Sequence, residues 1–224
     1  MNTTHTLPAD IERTSMQIIQ QELKDRGIVI PEERQAVVHR VIHTTADFEY
    51  AENLTFTDGA VSRGVEALRR GVSIVTDTNM AKAGVSKPSL RQLSGAVECY
   101  MAEDMIATLA KSKGTTRAVA SMTYAAQRTP DAIFAVGNAP TALMRLSELM
   151  RDGLRPSLII GVPVGFVNVE ESKREIFSVC QQLDVPAIVA MGRKGGSGVA
   201  AAICNALLYT AVQELDPASR GWQG

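Results

Sequence analysis

Residues 131–191 read DAIFAVGNAPTALMRLSELMRDGLRPSLIIGVPVGFVNVEESKREIFSVCQQLDVPAIVAM. Three short apolar runs, Ile133 to Val136, Leu158 to Val162 and Ala187 to Met191, alternate with two amphipathic stretches, Thr141 to Arg151 and Glu170 to Gln182. Each run is apolar on both faces, as a strand buried inside a parallel sheet must be. Each amphipathic stretch is long enough to serve as the crossover helix that carries the chain back to the start of the next strand.

The alternation continues on both sides. Upstream, Val72 to Val75 and Ala96 to Met101 read as strands, with helices over Val61 to Arg70 and Thr116 to Gln127, and downstream Gly198 to Val212 reads as a helix. The runs recur roughly every 25 to 35 residues, the length of a β-α unit. Before residue 60 the pattern is helical. Pro8-Ala9-Asp10 starts a helix in which Ile11, Ile18, Ile19 and Leu23 recur at helical spacing, and Gly27 ends it in a left-handed cap. Ile30-Pro31-Glu32-Glu33 opens a second helix with Val37, Val38, Val41 and Ile42 on its apolar face. The expectation is a single α/β domain over 1–224: an open, mainly parallel sheet covered by helices, a helical N-terminal segment over about 8–47, and a loose tail over about 216–224.

Composition narrows the function. Hydrophobic residues are 45% of the chain and charged residues 21%, an ordinary globular balance, and the net charge of −1 lacks the cationic excess that nucleic-acid binding needs. Cys99, Cys180 and Cys204 are far apart and form no CxxC pair, which fits a reducing compartment. Residues 1–10 contain no apolar secretion signal, and Leu158 to Val169 is too short and too interrupted by Gly161, Pro163 and Gly165 to span a bilayer. A cytoplasmic protein with no nucleic-acid or membrane partner is expected.

In open α/β sheets, ligands bind beyond the carboxyl ends of the strands. That selects Thr76-Asp77-Thr78-Asn79, Gly137-Asn138-Ala139-Pro140-Thr141, Val162-Pro163-Val164-Gly165-Phe166 and Gly192-Arg193-Lys194-Gly195-Gly196-Ser197. The last combines two cationic side chains with a glycine-rich turn into a helix, so it reads as an anion or carboxylate site or as a simple tight connection. Gly196 to Ala201 also satisfies GxGxxA, but no second strand ending in an acidic residue follows, and no Walker A sequence occurs. Arg117, after Thr115-Thr116, opens a helix where a ligand carboxylate would meet both a guanidinium and the helix dipole. The histidines are His5, in the N-terminal tail, and His39 and His43, one turn apart on the second helix. Each of the last two reads as a packed structural histidine or as a proton donor, and no third ligand makes the pair a zinc site. Thr44 and Thr45 stand where they could orient a ligand, and Asp47, Glu49 and Glu52 read as a solvated acidic face.

These residues together resemble the precorrin-8X methylmutase family. The resemblance is carried by Ile11-Glu12-x-x-Ser15, Val41-Ile42-His43-Thr44-Thr45-Ala46-Asp47-Phe48, Thr76-Asp77-Thr78-Asn79-Met80, Gly137-Asn138-Ala139-Pro140-Thr141-Ala142-Leu143, Gly161-Val162-Pro163-Val164-Gly165-Phe166-Val167, Glu171-Ser172-Lys173 and Gly195-Gly196-Ser197, in one order over nearly the whole chain. It implies a flavodoxin-like α/β/α fold, a homodimer with active sites near the subunit contact, and no external cofactor or metal. The implied reaction is isomerisation of precorrin-8X to hydrogenobyrinate, or of the cobalt form to cobyrinate, by a methyl shift from ring carbon 11 to ring carbon 12. It assigns His43 as the catalytic general acid. It places Arg117, Asn138, Thr141, Arg193, Gly195, Gly196 and Ser197 at the tetrapyrrole, with Ser15 and Thr44 as further substrate contacts. The threonine pair after His43 leans toward the cobalt branch. The rival readings are a nucleotide-binding oxidoreductase, resting on the GxGxxA string, a non-catalytic corrin carrier, and a zinc protein using His39 and His43.

Overall fold

The structure, a computed structural model, describes residues 7–220; His5 and residues 221–224 lie outside the described residues. In chain order the elements are α1 (Pro8–Asp25), α2 (Glu32–Thr45), α3 (Tyr50–Asn53), β1 (Leu54–Phe56), α4 (Ala60–Arg69), β2 (Ile74–Thr76), α5 (Asn79–Gly84), α6 (Lys87–Gln92) and β3 (Val97–Glu98). They continue with α7 (Asp104–Ser112), α8 (Arg117–Arg128), β4 (Ile133–Val136), α9 (Pro140–Arg151), β5 (Leu158–Gly161), α10 (Val169–Gln182), β6 (Ala187–Ala190), α11 (Ser197–Ala211) and a 3-10 turn over Pro217–Arg220.

The sheet order is β1-β6-β5-β4-β2-β3, parallel throughout except for β1, which runs antiparallel to β6. Without β1, the five parallel strands follow the flavodoxin-like order, with the switch point between β2 and β4. Successive strand residues face opposite layers. Ile133, Ala135, Leu158, Ile160 and Ile188 pack with α1, α2, α4 and α11, while Phe134, Val136, Ile159, Ala187 and Val189 pack with α7 to α10. The result is the expected three-layer α/β/α arrangement preceded by two helices.

Strand β1 is an addition to the sequence reading. Leu54 pairs with Ala190 and Phe56 with Ile188. Thr57 then accepts the Ala187 N–H through its hydroxyl at 2.8 Å. Three residues directly after a helical turn are too few to show a strand period, yet they cover the edge of β6 that would otherwise stand open. The C-terminal segment also departs from the loose tail that was expected. Pro217 is buried, and Arg220 packs against Tyr209 of α11 and bonds to Glu12 of α1.

The switch point is occupied by a side chain of the protein itself. Asp77, fully buried after β2, accepts the N–H groups of Gly137 (2.8 Å), Asn138 (2.8 Å) and Ala139 (2.7 Å) after β4. Burial pushes this carboxyl up from its ordinary value, and the three N–H donors oppose that shift. Because all three partners donate, the ionised form is the one that satisfies every bond.

Asp77→Ala leaves three inward-pointing N–H groups without an acceptor. The expected loss is about 2–5 kcal/mol, measured as a lower urea midpoint at unchanged slope. An unchanged midpoint would mean that solvent replaces the carboxylate at no cost.

Candidate active site

His43 sits in the last turn of α2. Val41 and Ile42 before it are buried, so its own position falls at the rim of the helix's core face, half-buried. Ala46 ends the helix in the left-handed conformation and returns its N–H to Ile42. From α1, the Ser15 hydroxyl is hydrogen-bonded to His43 Nδ1 at 2.7 Å. His43 lines a cavity of about 250 Å³ together with Pro8, Ala9, Ile11, Glu12 and Pro217. His39, one turn earlier, is buried and lines a different hollow with Gln20, Leu23 and Gln35, so the two imidazoles do not converge on one point.

Burial lowers the His43 pKa from its ordinary value, and the Arg40 guanidinium lowers it further. Glu12 opposes the shift and Arg220 adds to it. With Nδ1 engaged by Ser15, Nε2 is the nitrogen left to meet a ligand.

A second group of predicted residues gathers at the strand ends. Thr116 caps α8 by accepting the Val119 N–H at 3.2 Å, and its hydroxyl lies 3.3 Å from that of Thr141 at the start of α9. Two helix N-termini therefore meet, with Arg117 exposed in the first turn of α8 and the Asn138 side chain exposed beside them. Thr44 is exposed, and its hydroxyl donates to the Arg40 carbonyl at 2.9 Å. Arg193 is exposed but already has a partner, donating to Glu170 at 3.0 Å and lying 5.6 Å from the centre of the Phe166 ring.

The Gly195-Gly196-Ser197 turn is a tight connection. A Cβ on Gly195 would stand 2.1 Å from the Val162 carbonyl oxygen, and one on Gly137 would stand 2.8 Å from the Cα of Ser197. These glycines let three strand-end loops touch backbone to backbone. Gly196 donates to Val162 at 2.8 Å, and the Ser197 hydroxyl meets that of Thr78, also at 2.8 Å. The GxGxxA string does open a helix after a strand, but β6 is the last strand, so the described residues hold no following strand to carry the ribose-binding acid of a dinucleotide site.

Two lysines hold this turn in place. Lys173, fully buried on α10, donates to the carbonyls of Gly192 and Lys194, both at 2.8 Å. Burial pushes its pKa down to about 8, against the pull of Glu170. Lys194 reaches the other way, to Asp47 at 2.6 Å and Glu49 at 2.8 Å, and the Asp47 bond leads in raising its pKa to about 12. Asp47 and Glu49, read from sequence as a solvated face, thus tie the His43 end of α2 to the strand-end loops. Lys173 appeared in the sequence only within the Glu171-Ser172-Lys173 string. Arg40 and Arg220, whose charges act on His43, carried no local signal.

Comparisons with known proteins identify the family and the fold. A family model described as precorrin-8X methylmutase matches residues 10–210. The chain is 39% identical over 201 residues to the cobalt-precorrin-8 methylmutase of Priestia megaterium, covering 89% of this chain and 87% of that protein. It is 40% identical over 209 residues to the protein of the same name from Salmonella typhimurium, covering 90% and 95%. The precorrin-8X methyl mutase structure from Thermus thermophilus superposes with a TM-score of 0.80 at 39% identity, covering 91% of this chain and 98% of that one.

The Lys173 environment has a measurable consequence. The folded chain releases this proton near pH 8 and the unfolded chain near its ordinary 10.5. Between those values the unfolded state binds more protons, so stability rises with pH. The wild-type urea midpoint is expected to climb from about pH 8 to about pH 10.5 relative to that of Lys173→Met. A flat difference would mean that the two carbonyls fully offset the cost of burying the ammonium.

Proposed function

The chain belongs to the precorrin-8X methylmutase family, and on that premise we propose that it isomerises a corrin precursor by moving a methyl group from ring carbon 11 to ring carbon 12. The rival oxidoreductase, carrier and zinc readings find no support in the relatives. The cobalt-containing precursor is the proposed substrate, because the Priestia megaterium and Salmonella typhimurium relatives are both named for cobalt-precorrin-8.

The observation that carries the mechanism is that His43, held by a hydrogen bond from Nδ1 to Ser15, lines a cavity. Ser15 holds the ring by Nδ1 and leaves Nε2 toward the ligand. The imidazolium donates its Nε2 proton to the conjugated macrocycle, drawing electron density from the carbon that the methyl leaves. The methyl migrates to the adjacent carbon, and the proton returns to Nε2 as conjugation is restored. General acid catalysis of this kind contributes about 10²- to 10⁴-fold. The pKa direction suits an acid, since a depressed value makes the imidazolium a stronger donor.

Ring carboxylates are assigned to the strand-end group. Arg117, Thr141, Asn138 and Ser197 offer a guanidinium, hydroxyls and an amide beside the N-termini of α8, α9 and α11, while Gly196, whose N–H is given to the Val162 carbonyl, shapes the turn. Thr44 and Arg193 are further proposed contacts, with Arg193 exchanging Glu170 for a substrate carboxylate.

A cavity of about 250 Å³ admits only an edge of a tetrapyrrole. A homodimer in which a second copy supplies the remaining wall is therefore part of the proposal. In its support, Ile11 and Ile18, two turns apart on α1, and Leu7, one turn before Ile11, leave an exposed apolar stripe beside the His43 cavity. A cytoplasmic location is proposed as well. No helix among the described residues is long and apolar enough to cross a membrane, and all three cysteines are free.

His43→Ala is expected to retain binding of the precursor while isomerisation, followed by visible absorbance, falls about 10²- to 10⁴-fold. In the wild type, kcat/KM should decline as pH rises through an apparent pKa below the ordinary histidine value. Near-normal turnover by the alanine variant would remove His43 from the chemistry. For the assembly, light scattering is expected to give twice the chain mass for the wild type and a smaller species for Ile18→Glu. A monomeric wild type with full activity would sink the shared-site proposal.

A further inference from the structure

Glu12 and Ser15 lie one turn apart on α1, and Arg40 and His43 lie one turn apart on α2, so the two helices are tied twice across one contact. The second tie is ionic. Glu12 Oε1 accepts from Arg40 Nη2 at 2.5 Å, and Arg220 Nη1 of the C-terminal turn reaches both Glu12 oxygens, at 2.8 and 3.0 Å. This cluster is shielded: the Arg220 side chain is 6% exposed, Arg40 12% and Glu12 19%.

Every donor group of Arg220 is used. Its Nε donates to the Glu214 carbonyl and its Nη2 to the Leu215 carbonyl, while its guanidinium lies 3.8 Å from the centre of the Tyr209 ring. Arg40 stands 5.2 Å from that same ring. On the outer side, Arg13 of α1 pairs with Asp216 at 3.1 Å, and Pro217 forms one wall of the His43 cavity.

We infer that Glu12, Arg40 and Arg220 are positioning residues for the Ser15–His43 pair, and that the turn 217–220 is a strap that completes the acid's site. This rests on the assignment of His43 as the acid. The strap fixes how α1 meets α2, and a misplacement of about 1 Å at such a contact costs on the order of 100-fold in rate. The cluster also carries charge. The charged groups of the cluster are Glu12 from α1, Arg40 from α2 itself and Arg220 from the strap, with the Tyr209 phenol of α11 between the two arginines. Two guanidiniums against one carboxylate leave a net positive charge beside the imidazole, which disfavours imidazolium and sharpens it as a donor. A removed partner is costly, because it strands a half-buried charge.

The experiment pairs two variants in the full chain and reads two quantities. The first is the titration of the His43 imidazole by NMR without substrate; the second is kcat and KM on the corrin precursor. Arg220→Gln is expected to raise the titration midpoint toward the ordinary histidine value and to lower kcat roughly 10- to 100-fold, with a smaller change in KM. Glu12→Gln is expected to move the midpoint the opposite way. Arg220→Lys, which keeps the charge without the planar fork, should restore the midpoint and only part of kcat. A merely structural loosening would move both glutamine variants in the same direction, and that outcome overturns the inference, as would a folded Arg220→Gln with wild-type midpoint and kcat. Should Arg220→Gln not fold, the Glu12→Gln midpoint decides alone. A wild-type chain that turns over no precursor would defeat the functional reading, while the imidazole titrations would still test the strap.

Discussion

Three adjacent backbone N–H groups at the end of β4 point at one buried carboxylate, that of Asp77. In other sheets of this topology the same place is the crevice where a ligand is received. Here a side chain fills it, and its neighbours close around it. Thr76 donates to the Thr78 carbonyl, Thr78 caps α5 and meets Ser197, and Gly137 lies so close to Ser197 that no side chain fits. The crevice within the sheet is thus closed by the protein's own groups.

Helix α2, which carries His43, is attached to this platform from outside. Chain order puts α2 before the sheet, packed over α11, and its C-terminal end is joined to the strand-end turn through Lys194 with Asp47 and Glu49. Lys173 holds the same turn from beneath by two carbonyls. One turn of chain, residues 192–197, therefore couples the His43 end of α2 to the strand-end loops. Its glycines serve contact between backbones, which is why a glycine-rich string here resembles a nucleotide motif without the context that a dinucleotide site requires.

The fold was legible where burial was two-sided. The boundaries of β4, β5, β6, α8, α9 and α10 follow from apolar runs and amphipathic stretches that stand out against any neighbour. Between about 77 and 115 only the strand within Ala96 to Met101 was legible, and its helices were not, nor was the strand at 54–56. There the helices are six to nine residues long and the strands β3 and β1 two and three, too short for a period to emerge. Strand β1 is also half-buried and edge-facing, so its composition resembles that of a loop. The tail was misread for a different reason: Asp216, Pro217 and Ser219 have the composition of a loose end, and only the docking of Arg220 on Tyr209 and Glu12 orders them.

Sequence alone determined the layer architecture and the polar or glycine-rich composition of the strand-end loops, because hydrophobic period and residue chemistry are local properties. Tertiary structure decided which residues meet. Ser15 and His43 are 28 positions apart, Asp77 and Gly137 are 60, and Glu12 and Arg220 are 208. No local pattern encodes such pairings, since each depends on the angle at which two packed elements cross. The depressed pKa of His43 belongs with them. It is set by burial and by charges from three separate parts of the chain, which come together only when the protein folds.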